Sequence, residues 1–210
     1  MMNRYALLMI GMCLGFHLFG QQEFQYEPYQ PIRFKENIQL NGFKEMETYK
    51  LSEEELLVVG EKERKSYTYG LRMYFLKRYE DRFRVQFSTH GQGESYIFKP
   101  NFFKTSQGHR LIVAEIGAEY AWGAYVYALS DTGMSELGFL NIAGTRDRPP
   151  EAYPASIIDQ MQIIQEGDST RFRFRGRVIL EPGQMEQKLR TGSKITYLFD
   201  GQKLIMKEEE

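Results

Sequence analysis

The chain has 210 residues, 42% of them hydrophobic and 26% charged, enough for one domain with a sizeable core. Its formal net charge is −1, so no global field recruits nucleic acid or an anionic membrane, and any anion site must be a local patch. Fourteen phenol rings and fifteen phenyl rings against a single indole favour strands, where flat rings pack on a pleated surface.

The first segment, "MMNRYALLMIGMCLGFHLFG" (1–20), predicts a secretory signal peptide. Arg4 supplies a basic start, residues 5–19 are apolar, and Gly20 is a small residue suited to cleavage before Gln21. About 15 apolar residues broken by two glycines and a histidine fall short of the ~20 that span a bilayer, so the mature chain is expected to carry no transmembrane segment. Loss of 1–20 removes Cys13, the only cysteine, leaving no disulfide and no thiolate ligand. Asn37, Asn41 and Asn101 do not open an Asn-x-Ser/Thr acceptor. An exported chain without either feature is expected in the bacterial periplasm or outside the cell. His90 and His109 fall in separate turns, so no metal, cofactor or Ser-His-Asp chemistry is expected.

Residues 21–65 read as an irregular lead-in, with prolines at 28 and 31 and a solvated "EKERK" (61–65). Within it "LSEEELLVVG" (51–60) fits either a helix, with Ser52 and Glu55 as a capping box, or a strand ending in Val58 and Val59. From residue 66 to 207 the chain alternates like strands and is punctuated like hairpins. "DRFRVQFS" (81–88) sets Phe83, Val85 and Phe87 against Arg82, Arg84 and Gln86. "SYIFKPNFFK" (95–104) follows a turn, and Pro100 points to an edge or a bulge. "HRLIVAEIG" (109–117), "WGAYVYALS" (122–130) and "MSELGFLNIA" (134–143) continue the meander. After a loop at 144–154 come "IIDQMQIIQ" (157–165) and "STRFRFRGRVIL" (169–180), where Gly176 marks a bulge that shifts register. "KITYLF" and "QKLIMK" are joined by Asp200-Gly201, a type I′ hairpin signal, and 208–210 is an acidic tail. The predicted fold is mostly β: an antiparallel meander of about eight to ten strands with little helix, closing as a barrel or a two-sheet sandwich.

Three places are candidates for function. Arg171, Arg173 and Arg175, followed by Arg177, form a stripe at period two. A hairpin closing through Gly167 and Asp168 puts Gln162 opposite Arg173 and Phe172 beside Ile163, so one wet sheet face explains the stripe. An anion patch is the alternative, because glutamines across the hairpin offer it no carboxylate. The second is "EIGAEYAWGAY" (115–125), where Glu119, Tyr120 and Trp122 lie between glycines. A turn bearing two aromatics and an acid needs something to pack against or to bind. Glu115 shares a strand face with Leu111 and Val113, where an ionised carboxylate is costly unless paired. The third is the long loop 144–154, with Arg146, Arg148 and Tyr153.

A leader followed by strand-turn-strand units resembles exported β-proteins of bacteria, a resemblance that implies no activity. The expected function is a non-catalytic exported domain that binds a small molecule, a glycan or a cell-envelope partner. The alternatives are a carboxylate-dependent glycan hydrolase and a structural envelope subunit completed by strand addition.

Overall fold

The structure, a computed structural model, describes residues 22–33, 43–62, 69–148, 151–184 and 187–209. The leader expected over 1–20 lies outside the described residues. Among those residues no α-helix is present, and all strand pairings are antiparallel. No described helix is long and apolar enough to cross a membrane.

Three short strands open the described chain: β1 (Glu23–Gln25), β2 (Glu27–Tyr29) and β3 (Ile32–Arg33). Then β4 (Phe43–Lys50), β5 (Glu55–Lys62), β6 (Gly70–Tyr79) and β7 (Arg82–Ser88) form a meander, the outer sheet, ordered β3-β4-β5-β6-β7. The next meander, β8 (Ile97–Lys104), β9 (Arg110–Gly117), β10 (Ala121–Ser130) and β11 (Gly133–Leu140), is the central sheet, ordered β11-β10-β9-β8-β2. β12 (Ile142–Arg148) and β13 (Glu151–Ala155) form one hairpin, and β14 (Met161–Glu166) and β15 (Ser169–Phe174) another. β16 (Arg177–Leu180) and β17 (Lys188–Thr191) join the first, making a four-stranded corner sheet, β13-β12-β16-β17. β18 (Ile195–Phe199) and β19 (Leu204–Glu208) join the second, making the arginine sheet, β1-β14-β15-β18-β19.

The middle of the central sheet, β9 and most of β10, is buried on both faces. Leu111, Val113, Ala124 and Val126 pack with Phe172, Phe174 and Ile195 of the arginine sheet and with Ile142, Val178 and Leu180 around the corner sheet. On the opposite face Ile112, Ala114, Ile116 and Tyr127 pack with Leu57, Val59, Met73 and Phe75 of the outer sheet. This explains the unbroken apolar run of β9, since a strand covered on both sides has no wet face to alternate with. Each fully buried aliphatic side chain contributes about 1.5–3 kcal/mol relative to exposure. No sheet closes as a barrel, because every one has two edges; the layers stack instead.

Several sequence expectations change. The lead-in is strand-forming: β1, β2 and β3 each add an edge strand to a different sheet, so residues 23–33 strap three sheets together. The strand count accordingly exceeds eight to ten. Residues 55–62 are β5, not helix, because Leu56 and Val58 are buried on one face and Leu57 and Val59 on the other; Ser52 Oγ accepts instead from Glu54 N–H (3.2 Å) in a local turn. In β7 a bulge follows Val85, so Phe83 and Val85 share a face while Phe87 turns inward against Phe75. The 144–154 segment is the β12–β13 hairpin rather than a loop, with residues 149–150 outside the described residues. The β18–β19 turn spans Asp200 to Lys203, not a two-residue type I′ turn: Asp200 Oδ1 accepts from Gln202 N–H (3.0 Å) and Lys203 N–H (2.9 Å). The backbone donors of Lys203 and Gln202 hold that carboxyl below its ordinary value. Within the acidic tail, Glu208 closes β19 and pairs with Arg190 at 2.6 Å, and Glu209 N–H donates to Lys194 O at 2.8 Å, while residue 210 lies outside the described residues.

Other expectations hold. Pro100 sits where β8 runs beyond the short β2, which covers only Phe102 to Lys104. Gly176 (φ +68°) is the corner where the chain passes from the arginine sheet to the corner sheet. Arg173 opposes Thr196 and Arg177 opposes Thr191, so the register shifts here: three intervening residues on this strand, 174–176, face four on the other, 192–195. The left-handed glycine takes the bend, while the extra residue of the bulge sits on the facing strand, at the Gly192–Lys194 turn, rather than at Gly176 itself.

One ion pair joins two layers. Arg110, at the start of β9, grips Glu55, at the start of β5, through both carboxylate oxygens at 2.5 and 3.2 Å, with Lys77 Nζ 3.9 Å from Glu55. The hydrogen bond to Glu55 pushes the Arg110 guanidinium further up. The Glu55 side chain is only 9% exposed, so removing its partner strands a buried charge. Arg110→Met is expected to cost about 3 kcal/mol, and the double change Glu55→Met/Arg110→Met clearly less; urea unfolding of both variants checks the order.

Candidate functional site

The β9–β10 hairpin ends the central sheet with a turn over residues 118–120, and the strand that follows is bulged. Ala121 opposes Gly117 but Gly123 opposes Ile116, which leaves Trp122 as the extra residue. A bulge of this kind re-aims the side chain it carries. Gly123 permits it: its φ is +131°, and a Cβ there would meet Leu140 O at 2.4 Å. Trp122 is partly buried, resting on the core between the central and outer sheets.

Tyr120 stands edge-on to Trp122, with ring centres 6.5 Å apart, and edge-on to Tyr153, at 5.9 Å. Such T-shaped pairs contribute about 0.5–1.5 kcal/mol beyond area burial. Tyr153 comes from β13, so the second and third sequence candidates converge. A third segment, the 181–184 turn, also touches the rings: a Cβ on Gly183 would lie 3.4 Å from Tyr120 and 3.8 Å from Trp122. Tyr153 remains 42% exposed. Arg146 is its direct register partner and is exposed, so both stand on one face of the hairpin. Glu119 is exposed in the turn beside Tyr120. Of Arg148 the structure describes the backbone alone, paired with Glu151 at the hairpin's end.

No known protein family, curated protein or solved structure matches this chain. The reading of the cluster therefore rests on its own geometry.

Glu115 is buried on the face it shares with Leu111 and Val113, so that face points to the core and not to solvent. Its Oε1 accepts from the backbone N–H of Ile157 (3.2 Å) and its Oε2 from the Asn101 amide (3.3 Å). Ile157 lies four residues after Tyr153, so the carboxylate fastens the chain leaving β13 onto β9. Glu115 is thus placed to hold Tyr153 over Tyr120 without reaching the surface itself.

The arginine stripe lies elsewhere, on the arginine sheet. The hairpin register is as expected, with Gln162 opposite Arg173 and Ile163 opposite Phe172. Phe172 and Phe174 are buried while Arg173 and Arg175 are exposed, as one wet face requires. The stripe does have a carboxylate, contrary to expectation: Arg171 Nη2 lies 2.6 Å from Glu166 Oε2. Glu166 sits two positions beyond Arg171's own register partner, Ile164, on the same face, a diagonal that opposite-pair reasoning passes over. The 181–184 turn was also missed; it is far from both loops in sequence, and only the β12–β16 pairing brings it near.

Glu115→Ala should destabilise by about 2–3 kcal/mol, leaving the Ile157 N–H unpaired beside a new cavity. Glu115→Gln, which keeps an acceptor, should cost less than half of that; thermal melts of the two variants side by side test it.

Proposed function

We propose that the chain is an exported, non-catalytic β-domain that binds a glycan or another small ring-bearing molecule on Tyr120, Trp122 and Tyr153. The observation that carries this reading is the convergence of three rings from two segments, the β9–β10 hairpin and β13, at one end of the central sheet, with Tyr153 exposed. A tyrosine face is a flat apolar platform with few rotamers to freeze, which suits the C–H face of a sugar ring. Arg146 beside Tyr153 and Glu119 beside Tyr120 supply charged hydrogen-bonding groups for ligand hydroxyls at the rim. The rings stand on a bulged strand, a hairpin and a turn fixed by a layered core, and a rigid support limits the entropy lost on binding.

Trp122 is the only indole and reports on the site directly. Titration with chitooligosaccharides or soluble peptidoglycan fragments should shift its emission. Tyr153→Ala should weaken that binding by about 1–3 kcal/mol while lowering the melting temperature by only about 2–4 °C, the loss of its edge contact with Tyr120. Unaltered affinity in the variant, or no spectral response to any probe, would sink the reading.

Export to the periplasm or beyond is part of the same proposal and rests on the composition of residues 1–20. Intact-mass analysis of the secreted or periplasmic fraction should find a chain starting near Gln21. Recovery only of chains retaining residues 1–20 would contradict it.

A further inference from the structure

The outward face of the arginine sheet carries a feature independent of the aromatic cluster. Gln162, Arg173, Thr196 and Lys207 are successive register partners across β14, β15, β18 and β19, so their side chains stand in one row. Arg171 in β15 and Arg175 just past its end flank Arg173, each displaced by two residues, or about 7 Å. Together they line a groove of about 680 Å³ to which Ser193 and Thr196 also contribute.

The charges along this groove are unequally neutralised. Arg171 is held by Glu166, and Glu208, which also lines the groove, is drawn off by Arg190 at 2.6 Å. Among the described residues Arg173, Arg175 and Lys207 have no carboxylate at ion-pair distance, and Glu209 is the one remaining acid along the lining. In a protein of net charge −1 this is a local excess of positive charge.

We propose that this row is a binding site for a linear anionic glycan, one bearing uronate or sulfate groups. Arg173, Arg175 and Lys207 would take the acidic groups, and Ser193, Thr196 and Gln162 the sugar hydroxyls between them. Guanidinium groups suit this work, because their planar donor fork matches a carboxylate or sulfate edge. A single-stranded nucleic acid fits less well. Such sites pair a cationic groove with exposed rings on which bases stack, and the ring lining this groove, Phe174, is 2% exposed.

The test is binding of the full chain to polygalacturonate and to heparin, the uronate and sulfate arms, at low and at high salt. Neutral dextran, a poly(dT) oligonucleotide and anionic phospholipid vesicles are run beside them. Retention of either anionic glycan that falls as salt rises is expected, with dextran unbound. Arg173→Ser/Arg175→Ser should lower affinity roughly tenfold or more, as loss of charge-assisted contacts would. Arg82→Ser/Arg84→Ser, an equal loss of charge on the outer sheet, should leave it unchanged. If the groove double variant melts early, Lys207→Ser is read in its place. No binding at low salt, an equal loss in the outer-sheet control, or stronger binding to the oligonucleotide or the vesicles overturns the proposal. None of these outcomes bears on the Tyr153 site, which is read by Trp122 emission.

Discussion

Burial of β9 on both faces constrains every element around it. A strand with water on one side needs a single partner layer, whereas one without any wet face needs two, so the fold must supply covering sheets above and below. The outer sheet covers Ile112, Ala114 and Ile116, while the arginine and corner sheets cover Leu111 and Val113. The second cover is made from one ladder bent at Gly176, so that β15 and β16 wrap a single apolar face from two directions. The strap of residues 23–33 then stitches an edge strand onto the arginine, central and outer sheets in turn. Pro28 is tolerated in β2 because that strand is an edge, with one side outside the ladder.

A stack of apolar layers does not by itself fix how the layers slide over one another. Buried polar groups at the interfaces supply that information, since each has only one satisfied position. Glu55 and Arg110 register the outer sheet on the central one. Glu115 registers the central sheet on the chain after β13. On the arginine sheet Tyr26, just beyond β1, donates to Gln165 Oε1 at 2.8 Å, and Thr170 donates to the same oxygen at 3.0 Å. Burial pushes the Tyr26 phenol up to about 12, so it remains a neutral donor across the ordinary pH range. Replacing such groups by apolar ones need not lower stability, but it would remove the penalty on displaced packings.

What the sequence made legible was local. Period-two alternation located Phe172 and Phe174 against the arginines, and the Gly167 hairpin set the correct register. It failed where a local signal was overruled by tertiary burial. Ser52 and Glu55 have the spacing of a helix cap, yet Leu56 to Val59 are wanted on both faces of a sheet, and Glu55 is wanted by Arg110. The Asp200-Gly201 pair announced a hairpin correctly, but as a two-residue turn it would have set Thr196 opposite Ile205. The observed turn sets it opposite Lys207, which completes the cationic row. The aromatic residues were legible singly and illegible as a cluster. Tyr120, Trp122 and Tyr153 were each suspect for their setting, but only the long-range pairing of β12 with β16 brings the 181–184 turn and β13 to the same end of the sheet.

The layered plan also dictates where binding can occur. Both faces of β9, in the middle of the central sheet, are spent on the core, so the ligand-accessible parts of that sheet are its strand ends and its outer strands. The sheets that cover it have their inner faces spent likewise, which leaves their outward faces. The two candidate surfaces fall in those two kinds of place. Tyr120, Trp122 and Tyr153 gather where β9 turns into β10, and Arg173, Thr196 and Lys207 lie across the outward face of a covering sheet. The same geometry favours different ligands at each. A strand end offers rings from two segments at varied angles, suited to a compact ring-bearing group. An outward sheet face offers side chains at fixed intervals along and across strands, suited to a polymer whose own groups repeat.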